Sequence, residues 1–280
     1  MKLSLVCPCY NEGENIEAFY NTCREVLDTS LAGEYEFVFV NDGSRDATWD
    51  IITELAESYP WVEGISLSRN RGHQNALLAG LMTAKDRCDA AISLDADLQD
   101  DINVIDEFID KFIEGCDIVY GVRSSRKTDT AFKRTTALAF YKIMHFLGVE
   151  MVYNHADYRL MCKRAIIALE EFDEVNLFLC GMVPMLGFKS ANVYYERRER
   201  FAGESKYSLA KMLDLAWNGI TSFSVKPVDM ILFAGVLIGG ISFAAMLVML
   251  VLRIFGVLIG SSSWIIASIF LCTGINLFAL

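Results

Sequence analysis

Residues 93–101 read SLDADLQDD, which places four carboxylates, Asp95, Asp97, Asp100 and Asp101, within seven positions. They follow AAISL, a short apolar run of the kind that forms a buried strand. Like charges this close repel, and each raises its neighbours' pKa unless a cation stands between them. A divalent metal is the first candidate for that cation. A calcium loop of the EF-hand type starting at Asp95 would need Gly at its sixth position and Glu at its twelfth, where Asp100 and Asp106 stand. An aspartyl phosphoryl-transfer enzyme would more naturally carry its nucleophile after the first strand of the sheet, and here the cluster follows the fourth. An Asp-x-Asp pair leaving a strand can hold Mg2+ or Mn2+, hard ions bound through oxygen and partly through substrate phosphates, with Gln99 as a further oxygen donor. Asp-x-Asp alone is frequent in acidic chains. The chain has no Walker A motif and no GxGxxG after a strand, which lowers the ATPase and dehydrogenase readings.

The first 123 residues alternate between short apolar runs and amphipathic segments. Strands are expected at 2–7, 36–40, 62–67, 90–94 and 117–122, and helices from about Glu14, over 48–58, over 72–85 and over 104–114. This alternation predicts an α/β fold, a Rossmann-like, mostly parallel sheet covered on both faces. Ligands of such sheets bind outside the carboxyl ends of the strands. Polar residues gather at those ends: Pro8, Tyr10, Asn11 and Glu12; Asn41 and Asp42; Arg69 and Asn70; Asp95 and Asp97; Arg123. Any one of them alone reads as a turn residue. Five clusters at one edge of one sheet read as a single site.

The rest of the chain is different in kind. The apolar fraction is 53% and the mean hydropathy +0.32, high for a soluble enzyme. The surplus is concentrated in two uncharged runs, Met230–Leu252 and roughly Ile254–Leu280, separated by Arg253. Each is near the roughly 20 apolar residues a bilayer crossing requires. The plain alternative is a pair of buried core helices. Before them, 208–223 and 132–145 each carry one apolar stripe at helical spacing, as in a helix lying on a membrane surface or a helix packed on the domain. The opening MKLSLVCPCYNE has too short an apolar run for a signal peptide, and the eight cysteines form no CxxC pair. Both features predict a cytoplasmic catalytic part. Lys206, Lys211 and Lys226 ahead of the first run give the same orientation. The net charge of −11 argues against nucleic acid. Base concentrates instead at 123–134 and 196–211, nearer the apolar runs, which suits an anionic lipid surface or substrate. The expected organisation is a catalytic domain over 1–207, a juxtamembrane amphipathic helix over 208–227, and two transmembrane helices over 228–280.

Seven stretches in order, VCPCYNEGENI, VFVNDGSRDATWDII, LSRNRGHQNALLAGL, ISLDADLQDD, YGVRSSR, HADYRLM and RFAGESKYSLAKML, resemble the family 2 (GT-A) glycosyltransferases. Within that family the chain is most similar to the polyprenyl-phosphate group, which includes dolichol-phosphate mannose synthases and bactoprenol glucosyltransferases, over about residues 3–280. The resemblance implies that Pro8, Tyr10, Glu12, Asp42 and Asp95 hold the nucleotide. It implies that Asp95, Asp97 and Gln99 form the metal and diphosphate site, and that Asp157 with Asp97 serves catalysis near the sugar. It places Arg123, Lys133, Arg134, Arg198, Arg200, Ser205 and Lys206 around an acceptor phosphate. His73 stands where many members carry Lys.

The chemistry is self-consistent. A lipid phosphate monoester has a second pKa near 6 and is largely a dianion at neutral pH, so it needs positioning and charge relief more than a base. Whether Asp157 orients the sugar, assists as a base or forms a structural ion pair with Arg159 stays open at this level. His145 and His155 read as structural. The expectation is inverting transfer of a hexose, glucose from UDP-glucose, to undecaprenyl phosphate at the inner membrane, with a homo-oligomer left open. The rivals are a mannose transferase using GDP-mannose, a polysaccharide-polymerising transferase, whose usual QxxRW segment is missing, and an inactive nucleotide-binding membrane scaffold.

Overall fold

The computed structural model describes residues 1–124, 155–172, 177–197, 225–258 and 260–279. The described residues fall into two compact units, one containing the sheet and the other the two C-terminal helices.

The first unit is built on a seven-stranded sheet. Its strands are β1 (Lys2–Cys9), β2 (Glu34–Asn41), β3 (Val62–Ser66), β4 (Ala90–Ser93), β5 (Ile118–Arg123), β6 (His155–Cys162) and β7 (Ser190–Tyr195). Their order is β3-β2-β1-β4-β6-β5-β7. β6 runs antiparallel to both its neighbours, and every other pairing is parallel. The five strands expected from apolar runs are present, each within about two residues at either end. β6 was not expected: HADYRLMC mixes charge into a strand that is almost wholly buried where its side chains are described, so it has no apolar run to announce it. Its reversed direction matters to the site. The pairing of Ser93 with Arg159 and of Val122 with His155 brings the start of β6 to the carboxyl edge of β4 and β5.

Helices α1 (Ile16–Leu27), α2 (Thr48–Ser58), α3 (His73–Ala84), α4 (Ile105–Ile113), α5 (Lys163–Glu170) and α6 (Leu179–Met185) flank the sheet. α1 buries Ile16, Phe19, Tyr20, Cys23 and Leu27, a single helical stripe. Phe19 meets Phe39 edge-on, with ring centres 6.0 Å apart. α3 lies unusually close to the sheet. A Cβ on its Gly80 would stand 2.4 Å from Val6 Cγ1 and 2.9 Å from Val40 Cγ2, so only glycine permits this approach.

The second unit is a pair of helices, α7 (Lys226–Ile254) and α8 (Ser261–Ala279), whose most apolar 18-residue stretches have mean hydropathy 2.5 and 1.6. The expected second apolar run is thus a helix only from Ser261, after a turn at Gly256 with φ +84°. The helices touch at glycines: a Cβ on Gly274 would lie 2.5 Å from Gly239 N, and one on Gly235 would lie 2.8 Å from Gly274 O. The expected surface helices at 132–145 and 208–223, together with Lys133, Arg134, Arg198, Arg200, Ser205 and Lys206, lie outside the described residues.

Candidate active site

The loops leaving β1, β2 and β3 are stitched to one another. Asn11 takes φ 52°, a left-handed conformation that Asn tolerates better than most residues. Its backbone N–H donates to Ser44 Oγ (3.0 Å), and its side-chain oxygen accepts from Arg45 N (2.8 Å). Glu12 N donates to Thr48 Oγ1 (2.9 Å) and Gly13 N to Asp46 Oδ2 (3.1 Å). Burial works against the Asp46 carboxylate, but the Thr48 hydroxyl and the N–H groups of Gly13 and Thr48 outweigh it and hold its pKa below the usual value. Asp42 accepts from the backbone N–H groups of Arg71 (2.6 Å) and Gly72 (2.9 Å). The carboxylate expected at the nucleoside therefore anchors the loop that starts α3. Gly43 (φ +66°) allows that loop to come close, since a Cβ there would be 2.6 Å from Arg69 C. Pro8 is buried at the end of β1, and Tyr10 and Glu12 stand half-buried just beyond it.

The carboxylate cluster follows β4. Leu98 adopts φ 56°, sterically costly for a Leu, and the turn it makes lets Gln99 N donate to Asp97 Oδ1 (3.1 Å). Strained backbone of this kind concentrates at functional sites. Asp97 and Asp100 are buried, while the Asp95 side chain retains 40% exposure. The cations that make this crowding tolerable come from distant parts of the chain. His73 Nε2 lies 3.7 Å from Asp95 Oδ1 and 3.2 Å from Asp157 Oδ2. Arg123 Nη2 lies 3.6 Å from Asp100 Oδ1, and Arg197 donates to Gln99 Oε1. Tyr195 OH also donates to Asp100 (2.5 Å). Burial opposes the His73 imidazolium, yet Asp95 and Asp157 lift its pKa to about 9. Asp95, partly withdrawn from water, has its pKa raised by that desolvation, with His73 opposing and Asp100, Asp97 and Asp157 adding to the rise. Burial lowers Arg197, and neighbouring Arg123 lowers it further.

Asp157, near the start of β6, is gripped on both oxygens. Oδ1 accepts from Arg159, two residues on and fully buried, and from Cys180 Sγ (3.5 Å). Oδ2 accepts from Gln74 Nε2 (3.0 Å) and faces His73. The Asp157–Arg159 ion pair anticipated as the structural alternative is therefore present, and it stands inside the site rather than apart from it.

Residues 4–169 match the family model described as "Glycosyl transferase family 2". The chain belongs to that family. It is 55% identical over 231 residues to a Bacillus subtilis (strain 168) protein named "Uncharacterized glycosyltransferase YkoT", covering 81% of this chain and 68% of that one. It is 43% identical over 244 residues to the bactoprenol glucosyl transferase of Shigella phage SfV, covering 87% and 78% respectively. Mannosyl-3-phosphoglycerate synthase from Rubrobacter xylanophilus shares the fold, with a TM-score of 0.53 at 12% identity over 79% of this chain and 72% of that one. The protein is a glycosyltransferase with a GT-A fold.

For a family 2 glycosyltransferase the sheet edge carries a coherent set of groups. Of the expected residues, Pro8, Tyr10, Glu12, Asp42, Asp95, Asp97, Gln99, Arg123 and Asp157 lie at or just beyond the carboxyl edge of the parallel strands, Asp157 through the reversed direction of β6. Sequence reasoning missed Gln74, Cys180, Tyr195 and Arg197. Only Arg197 had a signal, its place in the basic run 196–211. Among the described residues no three His, Cys, Asp or Glu side chains form a ready metal cage. Two carboxylates with hard oxygen donors nevertheless suit Mg2+ or Mn2+, which bind through one or two protein carboxylates and complete their shell with water and substrate phosphate. The carbonyl oxygen of Gln99, the further oxygen donor expected there, accepts from Arg197.

Proposed function

We propose that the protein transfers glucose from UDP-glucose to a polyprenyl phosphate, undecaprenyl phosphate, at the cytoplasmic face of the cell membrane, with inversion at the anomeric carbon. The observation that carries this reading is the convergence of Asp95, Asp97 and Asp157 on one sheet edge in a chain so close to a bactoprenol glucosyl transferase. Asp95 and Asp97 would hold Mg2+ or Mn2+, which supplies charge neutralisation for the departing nucleotide diphosphate. The loops after β1 and β2 would hold the nucleoside. Asp157, surrounded by donors, would orient the sugar hydroxyls. The acceptor dianion needs no base; it needs positive charge, which Arg123, Lys133, Arg134, Arg198, Arg200 and Lys206 would supply, with Ser205 as a neutral hydrogen-bond donor. α7 and α8 would span the membrane: α7, about 43 Å of helix, exceeds a hydrocarbon core of about 30 Å, and α8, about 28 Å, comes within about 2 Å of it when upright. The catalytic part would then occupy 1–207 and a surface helix 208–227.

A thermal-shift panel of UDP- and GDP-sugars with Mg2+ or Mn2+ tests the donor. UDP-glucose with metal should raise Tm by several degrees, because a ligand at a hundred times its Kd stabilises by about 2.7 kcal/mol. A shift with GDP-mannose and none with UDP-glucose would replace the donor assignment. For the acceptor, Arg200→Ala and Lys206→Ala should weaken polyprenyl-phosphate use in neutral detergent and leave nucleotide-sugar binding intact. Unchanged acceptor kinetics would remove that segment from the acceptor site.

A further inference from the structure

We propose that Gln74 is a positioning residue for the Asp157 carboxylate and fixes its rotation for the transfer step. Three observations meet at this side chain. Its Nε2 donates to Asp157 Oδ2 at 3.0 Å, and its Oε1 accepts from Leu179 N, the first residue of α6, also at 3.0 Å. The two partners determine which way the amide faces, because the flipped amide would set oxygen against carboxylate and NH2 against N–H. The base of the residue is fixed as well: α3 begins immediately after Gly72, whose N–H is held by Asp42, and α3 is seated against the sheet at Gly80.

The remaining contacts on Asp157 do a different job. Arg159 supplies charge at Oδ1 from the same strand, and it also reaches Leu179 O (3.3 Å). His73 divides itself between Asp157 and Asp95. Cys180 of α6 makes only a long contact to Oδ1 (3.5 Å), whereas Gln74 joins Oδ2 to α3 and, through its own Oε1, to the first residue of α6, so it sets the plane of the carboxylate relative to two helices. A carboxylate free to rotate about its last bond would present its oxygens to the sugar in the wrong directions. Displacements of about 1 Å in such a group cost on the order of a hundredfold in rate.

The inference uses the proposed glucose transfer for its kinetic test, and a stability test stands apart from it. Gln74→Glu keeps the acceptor for Leu179 N–H and replaces the donor by a second carboxylate; Gln74→Met keeps the length and removes both bonds. Both should lower kcat about 100-fold and leave KM for UDP-glucose within about twofold, the pattern of an interaction used only in the transition state. Parent kcat in Gln74→Glu would overturn the proposal. So would a loss carried by KM, which marks a substrate contact. The second measurement is Tm in the swapped pair Gln74→Glu with Asp157→Asn. There the new amide at position 157 donates to the new carboxylate at position 74, and the total charge beside Arg159 is conserved. The loss of Tm in the double variant should be smaller than the sum of the losses in Gln74→Glu and Asp157→Asn alone, a coupling that independent sites do not show. Additive losses would overturn the pairing. If the parent itself transfers no glucose, the proposed function falls, and the Tm of the swapped pair alone decides the role of Gln74.

Discussion

At Asp95 and Asp97 two carboxylates stand where the sheet opens, and the physics of that crowding sets the first expectations. Asp97→Asn should remove nearly all transfer, and chelation by EDTA should do the same to the parent enzyme. Full activity in chelator would contradict the metal assignment. His73 is held as a cation by Asp95 and Asp157, with its pKa raised to about 9. A His whose folded pKa lies above its unfolded value near 6.5 gives stability that is complete below that value and lost as pH rises towards the folded one. The metal-free protein should therefore lose Tm between about pH 6.5 and 9, and His73→Gln should flatten that slope. An equal slope in the variant would show that other groups carry it. Arg159 is 1% exposed beside Asp157. Because a buried charge left without its partner costs about 3–5 kcal/mol, Asp157→Ala should lower Tm as well as activity, and Asp157→Asn is the better probe of the chemistry. Equal Tm in parent and Asp157→Ala would show that the pair is not desolvated. At this scale the sequence was most legible where motif and strand end coincide, as in the Asp-x-Asp pair. It was silent where the partner lies far along the chain, as for Gln74 and Asp157, 83 residues apart.

The elements as far as β5 are set by simple patterns, and β6 breaks with them where it matters most to the site. β1 to β5 appear in the sequence as continuous apolar runs because both faces of a parallel sheet are covered. β6 is hidden by Asp157 and Arg159, charged residues that the strand can bury because they neutralise each other. The helix α3 is located by its apolar content, but its closeness to the sheet depends on Gly80. Gly80→Val should overpack this contact and cost about 1–3 kcal/mol or more, with lost activity because α3 also presents His73 and Gln74. Unchanged Tm and kcat would show that the helix can withdraw without disturbing the site. Away from the site, Asp117 accepts from Arg164 (2.5 and 2.6 Å), and that contact holds its pKa below the usual value. A depressed carboxylate gives stability that is present above its unfolded pKa and lost as pH falls through the folded one. Thermal melts from pH 5 to pH 2 should therefore fall less steeply in Asp117→Asn than in the parent. Parallel slopes would remove this pair from acid denaturation.

Across the whole molecule, an acidic catalytic unit is joined to an apolar helix pair. The length and charge-free composition of the two runs were readable directly; the glycine contact between α7 and α8 was not, since glycines in an apolar run do not say what they face. Gly274→Leu should force the helices apart, because even a Cβ would stand 2.5 Å from Gly239 N. Lower Tm in detergent with the catalytic residues untouched is the expected result, and a parent-like melt would show that the pair does not depend on this approach. The central assignment, sugar transfer to a lipid phosphate, is tested most directly with the purified full chain in neutral detergent, given radiolabelled UDP-glucose, undecaprenyl phosphate and Mn2+ or Mg2+. Label should pass into the organic phase as a glucosyl phosphodiester of inverted anomeric configuration, in the parent enzyme and not in Asp97→Asn. A parent that binds UDP-glucose yet leaves all the label in water, or that labels the lipid equally well after Asp97→Asn, would contradict it.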